Sequence, residues 1–303
     1  MSGGLLAVHA HPDDETLSTG ALLATWAASG SAVTLVTCTR GERGEVIGEH
    51  RAALEGDGPA LAAHRTGELG AAARALGIRD RVLLDEIGGD GPWVDSGMVW
   101  DSVGRARAGA TIPDGAFVGV DLELAAGRLA ELLLERRPDV VVTYEPAGGY
   151  GHPDHVQAHR VTMRAVELAF AGSPSAPCVL WAALDEDALR RGYRECVDLG
   201  LAVDGLLAPD PHGAVPSAAV PASAVDVQVQ VAPVLDRVLA ALRSHATQVQ
   251  AVQVVAGDDA DRAALAVYAL SNGILQPLLA VESYRCAAGD LARVHLPQGV
   301  LVR

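Results

Sequence analysis

The chain has 303 residues, 50% of them hydrophobic and 20% charged, so it can bury a core and is not disordered. Its 38 acidic against 23 basic residues leave a net charge of −15, which excludes a protein that grips a nucleic-acid backbone by charge alone. All 23 basic residues are Arg, and the absence of lysine excludes Schiff-base and pyridoxal-phosphate chemistry, a lysine general base and a P-loop. Cys38, Cys178, Cys196 and Cys286 form no C-x-x-C pair, so a thiolate zinc site or redox motif has no support, and Cys38 reads as a core residue. The opening Met1-Ser2-Gly3-Gly4 and the short apolar run after it do not make a signal peptide. No apolar stretch approaches the roughly 20 residues that span a bilayer. The expectation is a cytoplasmic protein without a membrane partner.

In chain order, short apolar runs alternate with longer amphipathic ones, which predicts a Rossmann-like α/β fold, a mostly parallel sheet with helices on both faces. Residues 5–9 read as a strand, 14–30 as a helix and 33–37 as a strand; 41–58 is a Gly-rich charged loop, 59–76 a helix and 81–84 a strand. Residues 88–119 carry turn signals and little periodicity, and read as a long functional loop. A helix over 121–137, a buried strand over 140–144, a loop at 148–151 and a helix over 153–171 complete this part. Arg136 and Arg137 suit a helix C-terminus. The organisation expected is a larger domain over 1–180 and a smaller C-terminal α+β region over 181–303 that shapes or covers a pocket. Within the latter, 208–222 reads as an exposed connection and 231–248 as an amphipathic helix able to pack back on the core.

The first strand runs into His9-Ala10-His11-Pro12-Asp13-Asp14-Glu15. Ligands of open α/β sheets bind outside the carboxyl ends of strands, and His11 and Asp14 can converge on a metal from one helical turn. The competing reading makes Asp13 or Asp14 a helix cap and His11 a loop histidine. Tyr144-Glu145-Pro146-Ala147-Gly148-Gly149-Tyr150-Gly151-His152-Pro153-Asp154-His155 again follows a strand, opens a helix and joins His-Pro to Asp. Two histidines and one carboxylate with an open position describe a catalytic site for Zn²⁺ or Fe²⁺. His152 or His155 can supply the third ligand. A nucleotide-binding module is disfavoured, because the first strand lacks G-x-G-x-x-G and its carboxylates would repel a pyrophosphate. A sugar-binding protein that keeps the metal without catalysis is a further alternative.

These two loops resemble those of the zinc-dependent N-deacetylases of the LmbE/PIG-L superfamily, which cleave the acetamide of N-acetylglucosamine-type sugars. Asp14-Glu15-Thr16-Leu17-Ser18-Thr19-Gly20, Thr37-Cys38-Thr39-Arg40-Gly41-Glu42, Gly44-Glu45-Val46-Ile47-Gly48, Arg65-Thr66-Gly67-Glu68-Leu69, Asp95-Ser96-Gly97-Met98, His245-Ala246-Thr247-Gln248-Val249 and Ala269-Leu270-Ser271-Asn272 extend the resemblance through most of the chain. Of these, the Glu45 and Asp95 segments point to the branch that deacetylates N-acetylglucosaminyl-inositol in mycothiol biosynthesis. The resemblance implies one Zn²⁺, with Fe²⁺ as the alternative, held by His11, Asp14 and His155. It implies Asp13 as general base, His152 as electrostatic partner of the oxyanion, Asp154 as the carboxylate orienting His152, and Tyr150 as a mobile hydroxyl that polarises the carbonyl. Arg65, Asp95 and Glu45 would contact inositol and sugar hydroxyls, the substrate being a small amino-sugar inositol. The mycothiol S-conjugate amidases share the metal loops, but typically carry Lys-Gly where this chain has Ser18-Thr19-Gly20. Gly119 stands where relatives often have an acidic residue, which touches local loop geometry only.

The remaining candidates are read structurally. His9 is a core histidine or a support to the ligands, His64 and His159 are solvated helix residues, and His50, His212 and His295 sit among turn residues. His245 is open between a pocket wall and a structural histidine. Trp93 and Trp100, flanking Asp95, suit either sugar stacking or loop anchoring.

Overall fold

The computed structural model describes residues 4–48, 51–89, 91–102, 105–109, 111–202, 205–256 and 261–303; for 100–102 and 105 it describes the backbone alone. His50 therefore lies outside the described residues, as does the side chain of Trp100. The N-terminal part runs β1 (Gly4–His9), α1 (Asp14–Ala28), β2 (Val33–Thr37), α2 (Arg51–Leu54), α3 (Gly58–Leu76), β3 (Asp80–Leu83), a hairpin of β4 (Val99–Ser102) and β5 (Arg105–Arg107), then α4 (Leu122–Arg136), β6 (Pro138–Tyr144), α5 (Gly148–Gly151), α6 (Pro153–Phe170) and β7 (Cys178–Asp185). It continues through α7 (Glu186–Asp198), β8 (Ala219–Val220), β9 (Val227–Gln230), α8 (Leu235–Ser244), β10 (Gln250–Val254), β11 (Ala264–Ala269), β12 (Leu275–Leu279), β13 (Val281–Ala288) and β14 (Val300–Val302).

The main sheet has the order β14-β9-β13-β7-β6-β1-β2-β3, with β8 beside β7, and β10, β11 and β12 form a separate antiparallel sheet. From β7 to β3 all neighbours are parallel. The central strands are apolar at successive positions because both faces are covered. Leu5, Ala7, Val140 and Val142 pack with Trp26 of α1, Leu69 of α3 and Val238 of α8. Leu6, Val8 and Val141 pack with Leu129 of α4 and Val161 of α6. The chain steps from β1 outward to β2 and β3, then returns to place β6 on the other side of β1. That reversal puts the carboxyl ends of β1 and β6, and hence both His-Pro loops, side by side at the switch point where such sheets bind ligands.

Local signals set the helix ends. Asp57 caps α3 by accepting from Ala60 N, and Gly77 ends it in the left-handed conformation. Asp121 caps α4 in the same way, accepting from Leu124 N. The helix α1 is broken at Thr19, whose φ of −144° is not helical, and the two amides just past the break find a distant acceptor. Glu282 of β13 accepts from Ala21 N at 2.6 Å and Leu22 N at 2.8 Å. Burial pushes the Glu282 carboxyl up to about 7 from an ordinary value of 4.5. Between these values the folded chain keeps a proton that the unfolded chain releases. Stability is therefore fullest below the ordinary value and declines as pH rises through about 7, by up to about 3 kcal/mol. Glu282→Gln is expected to flatten that decline, which melting temperatures of both proteins between about pH 4 and 8 would measure.

Several irregular segments differ from the sequence-based expectation. Residues 88–119 contain the β4–β5 hairpin, and 148–151 form the short helix α5. The boundary expected at 180 and 181 falls inside β7, and beyond it β9, β13 and β14 extend the same sheet. The helix expected over 231–248 is α8, shorter at both ends, and it packs on α1 and α3.

Candidate metal centre

The turn between β1 and α1 is strained. Asp13 has a φ of 119°, in the left-handed half of the map where a non-glycine residue is costly. Glu15 holds it there: Glu15 Oε2 accepts from Asp13 N at 2.9 Å, while Oε1 lies 2.7 Å from His245 Nε2. Glu15 and His245 are both fully buried, and the C-terminal region thus fastens the turn from behind. The neighbouring Thr247 donates through N and Oγ1 to Glu68 of α3, at 2.8 and 2.7 Å. Gln248 Nε2 donates to Glu45 O at 3.3 Å, so one turn after α8 braces three segments of the site.

Hydrogen bonds determine which nitrogen of each histidine is free. His155 Nδ1 donates to Gly148 O at 3.1 Å, leaving the Nε2 lone pair buried and without a hydrogen-bond partner among the described residues, 3.3 Å from Asp14 Oδ1. His11 Nε2 lies 3.2 Å from Asp154 Oδ2, and its Nδ1 lies 3.3 Å from Asp14 Oδ2. In both rings one nitrogen is anchored to an oxygen and the other faces Asp14, the arrangement in which histidines ligate metals. His152 differs, because its Nδ1 accepts from Asp154 N at 3.1 Å. A neutral His152 then carries its proton on Nε2, where it can donate. By distance alone, nitrogens of His11, His152 and His155 come within 4.8 Å of one another, and so do ligand atoms of His11, Asp95, His152 and Asp154. The donor set and the orphaned His155 nitrogen fit a metal ion.

The electrostatics point the same way. Although burial opposes it, Asp95, Asp14 and Asp154 hold the His11 pKa well above its usual value, the mark of an anionic pocket that wants a cation. Asp14 lies well below the usual carboxylate range because His155 and His11 outweigh its burial. Asp95 is lowered too, again against burial, chiefly by His11. Asp13 is pushed up to about 6 by burial, with Arg65 opposing. Burial, joined by His11 and His155, lowers His152 well below its usual value, and burial raises Tyr150, which keeps its phenol protonated.

The site opens into a cavity of about 890 Å³ lined by, among others, Asp13, Glu45, Asp95, Tyr150 and His152. All ten residues singled out in the sequence reach this neighbourhood, nine of them on the cavity wall, though two are not engaged as expected. The Asp154 carboxylate accepts from Ser96 N at 2.8 Å and from Ser96 Oγ, besides facing His11, and among the described residues it has no hydrogen bond to the His152 ring. Arg65 is buried beneath Asp13. Its guanidinium donates to Gly41 O at 2.6 Å and to Pro12 O, and lies 3.2 Å from Asp13 Oδ2. Gly41 is required under that guanidinium, since a Cβ there would lie 2.2 Å from Arg65 Nη1.

Other residues find structural places. Trp93 stacks on Phe117 at 5.6 Å with the Arg128 guanidinium over its ring, anchoring the loop. His159, read as solvated, is buried and bonds Tyr144 O at 2.9 Å. The 208–222 segment, read as exposed, contributes Ala208, Pro209, Gly213 and Pro216 to the cavity wall. Ser96 and Glu15 were not singled out as site residues; the only signal for either was its place beside Asp95 or Asp14.

The sequence profile of the PIG-L family, described as GlcNAc-PI de-N-acetylase, matches residues 6–166. The 1D-myo-inositol 2-acetamido-2-deoxy-alpha-D-glucopyranoside deacetylase of Kineococcus radiotolerans is 44% identical over 294 residues, covering 94% of this chain and 77% of its own. A protein of the same description from Saccharopolyspora erythraea, numbered 1, is 42% identical over 291 residues, covering 94% and 90%. Among solved structures, the 4-carboxy-2-hydroxymuconate hydratase of Pseudomonas putida KT2440 aligns with a TM-score of 0.50 at 19% identity, over 81% of this chain and 80% of its own. That likeness concerns the fold; the reaction has to be argued from the site.

Proposed function

The chain belongs to the PIG-L (GlcNAc-PI de-N-acetylase) family, and on that premise we propose that it hydrolyses the acetamide of 1D-myo-inositol 2-acetamido-2-deoxy-α-D-glucopyranoside to glucosaminyl-inositol and acetate. The observation that carries the reading is the convergence of His11 Nδ1 and His155 Nε2 on Asp14, with the Asp13 carboxylate in the same cavity. We assign His11 Nδ1, His155 Nε2 and Asp14 as the metal ligands, with Zn²⁺ as the ion and Fe²⁺ as the alternative that this donor set also suits. The chemistry supplied by the bound cation is polarisation of the amide carbonyl and acidification of the attacking water.

The chain's own groups do the rest. Asp13 accepts the proton of the attacking water, and Arg65 beneath it favours the ionised carboxylate. As the carbonyl carbon becomes tetrahedral, negative charge develops on its oxygen, and the His152 Nε2–H and Tyr150 hydroxyl are the donors that meet it. The neutral imidazole, rather than an imidazolium, is the donor, because burial and the neighbouring histidines lower His152. Asp154 acts through His11, fixing the ring from its far nitrogen. Glu45 and Asp95 line the cavity and accept from sugar and inositol hydroxyls. Arg65, with its donors turned to Pro12, Gly41 and Asp13, is assigned to positioning the base instead of contacting substrate.

No helix among the described residues is long and apolar enough to cross a membrane, in keeping with a small polar substrate and a cytoplasmic setting. Amine release from the acetylated pseudodisaccharide, measured beside cleavage of a mycothiol S-conjugate, tests the reading. The first is expected to be faster, to vanish on chelation and to return with Zn²⁺ or Fe²⁺; faster cleavage of the conjugate would replace it with the amidase reading.

A further inference from the structure

Tyr150 stands in the segment Gly148-Gly149-Tyr150-Gly151, whose three glycines have φ of 72°, 78° and 96°. Backbone of this kind has little stiffness of its own, so a hydroxyl carried on it needs an outside hold. Glu145, buried one residue past β6, provides one. The amides of the three residues before Tyr150 all end on it. Its carboxylate accepts from Ala147 N and, at 2.8 Å, from Gly149 N, and its backbone oxygen accepts from Gly148 N at 2.9 Å. The same carboxylate reaches into the C-terminal region, where Ser217 Oγ donates to Glu145 Oε1 at 2.8 Å. Next to it, Ala218 N donates to Gly149 O at 2.9 Å, so Gly149 is held through both its N–H and its C=O. Ser217 and Ala218 continue directly from Pro216 in the cavity wall.

A carboxylate suits this place because it only accepts, and three donors point at it. A glutamine would keep one accepting oxygen and turn its own N–H groups toward an amide N–H. The Tyr150 ring held in this way lies edge-on to His155 at 5.0 Å and to His152 at 6.2 Å. We propose that Glu145 is a positioning residue for the Tyr150 hydroxyl, and that Ser217 and Ala218 complete the hold from the C-terminal region. Glu145 does not itself line the catalytic cavity, so it acts through Tyr150. The inference rests on the deacetylase reading, in which that hydroxyl meets the charge developing on the carbonyl oxygen, and deepens it. An interaction made in the transition state and not in the ground state shows in kcat, so loosening the hold lowers kcat and leaves KM nearly unchanged.

The test is a double-mutant cycle on the metal-loaded enzyme, read by amine release from the acetylated pseudodisaccharide. Tyr150→Phe is expected to lower kcat by about 10²-fold, the loss of one donor to the oxyanion. Glu145→Gln is expected to lower kcat by about 10–100-fold, with KM within about threefold and bound metal at the wild-type level. Ser217→Ala is expected to cost about fivefold in kcat, and Ser217→Thr, which keeps the hydroxyl, to stay within about twofold of wild type. In the Tyr150→Phe background Glu145→Gln is expected to cost less than about threefold and Ser217→Ala less than about twofold, because the hydroxyl they position is gone. Equal fold-losses in both backgrounds, or a Tyr150→Phe enzyme as fast as wild type, would overturn the proposal. Should Glu145→Gln fail to fold, the exposed Ser217 carries the cycle through Ser217→Ala. Amide hydrogen exchange of residues 145–152 reads the hold without turnover and is expected to quicken about tenfold in Glu145→Gln; unchanged exchange would also overturn the proposal. Absence of amine release by the wild-type enzyme would instead refute the deacetylase reading, and the exchange measurement would still decide whether Glu145 fixes the segment.

Discussion

Asp13→Asn is expected to lower kcat by about 10²–10⁴-fold, the usual contribution of a positioned general base, while bound metal remains at the wild-type level. Asn is the informative replacement for two reasons. It tolerates a positive φ better than most residues, and the backbone of position 13 is held at 119°. It also leaves Arg65 its hydrogen bonds to Gly41 O and Pro12 O, although the ion pair with Asp13 is lost. Glu15 and His245 continue to hold the turn through the backbone amide, which the substitution does not touch. Amine release together with metal analysis of the same preparation checks both parts. Turnover close to wild type would remove Asp13 from the mechanism and favour a sugar-binding protein that merely keeps its metal.

His155→Ala is expected to reduce bound metal well below one per chain and to lower kcat/KM by about 10³-fold or more, since several kcal/mol of charge stabilisation depend on the cation. Among the described residues His155 Nε2 is buried without a hydrogen-bond partner and lies 3.3 Å from Asp14, which leaves it to the metal. Asp154→Asn, which alters the support behind His11 and the bonds from Ser96, is expected to cost about 10–100-fold in metal affinity. Metal titration followed by calorimetry separates the two variants. Equal, wild-type metal binding in His155→Ala would transfer the ligand role to His152, the other histidine whose nitrogen comes within range.

Much of the frame was legible before any coordinates. Strand 33–37 coincides with β2, and the helix expected over 59–76 is α3, because its start and end are written locally in Asp57 and Gly77. The apolar runs around Leu5 and Val140 announce a sheet covered on both faces, and both His-Pro loops stand at strand ends as their positions require. Less regular stretches were not legible in the same way. The Pro- and Ala-rich 208–222 segment has the composition of an exposed connection, yet it lines the cavity. Part of its anchorage is a bond from Ala218 N to Gly149 O, a pairing that no local pattern encodes. His245 was balanced between two readings, and its pairing with Glu15 across 230 residues places it behind the turn and not in the cavity wall.

The sequence by itself determined the donor types, the three-residue spacing of His11 and Asp14, and the recurrence of the His-Pro-Asp pattern in two loops. These are properties of neighbouring residues, and neighbouring residues share a turn or a helix face whatever the rest of the chain does. The tertiary structure alone decided what each donor is free to do. His11 is turned by Asp154, 143 residues away, and Asp154 is itself occupied by Ser96. The Asp154 carboxylate consequently supports His11 and leaves His152 to be set by a backbone amide. An imidazole has one lone pair when neutral, and the hydrogen bond on one nitrogen decides whether the other ligates or donates. That choice depends on contacts between segments that only the folded sheet brings together.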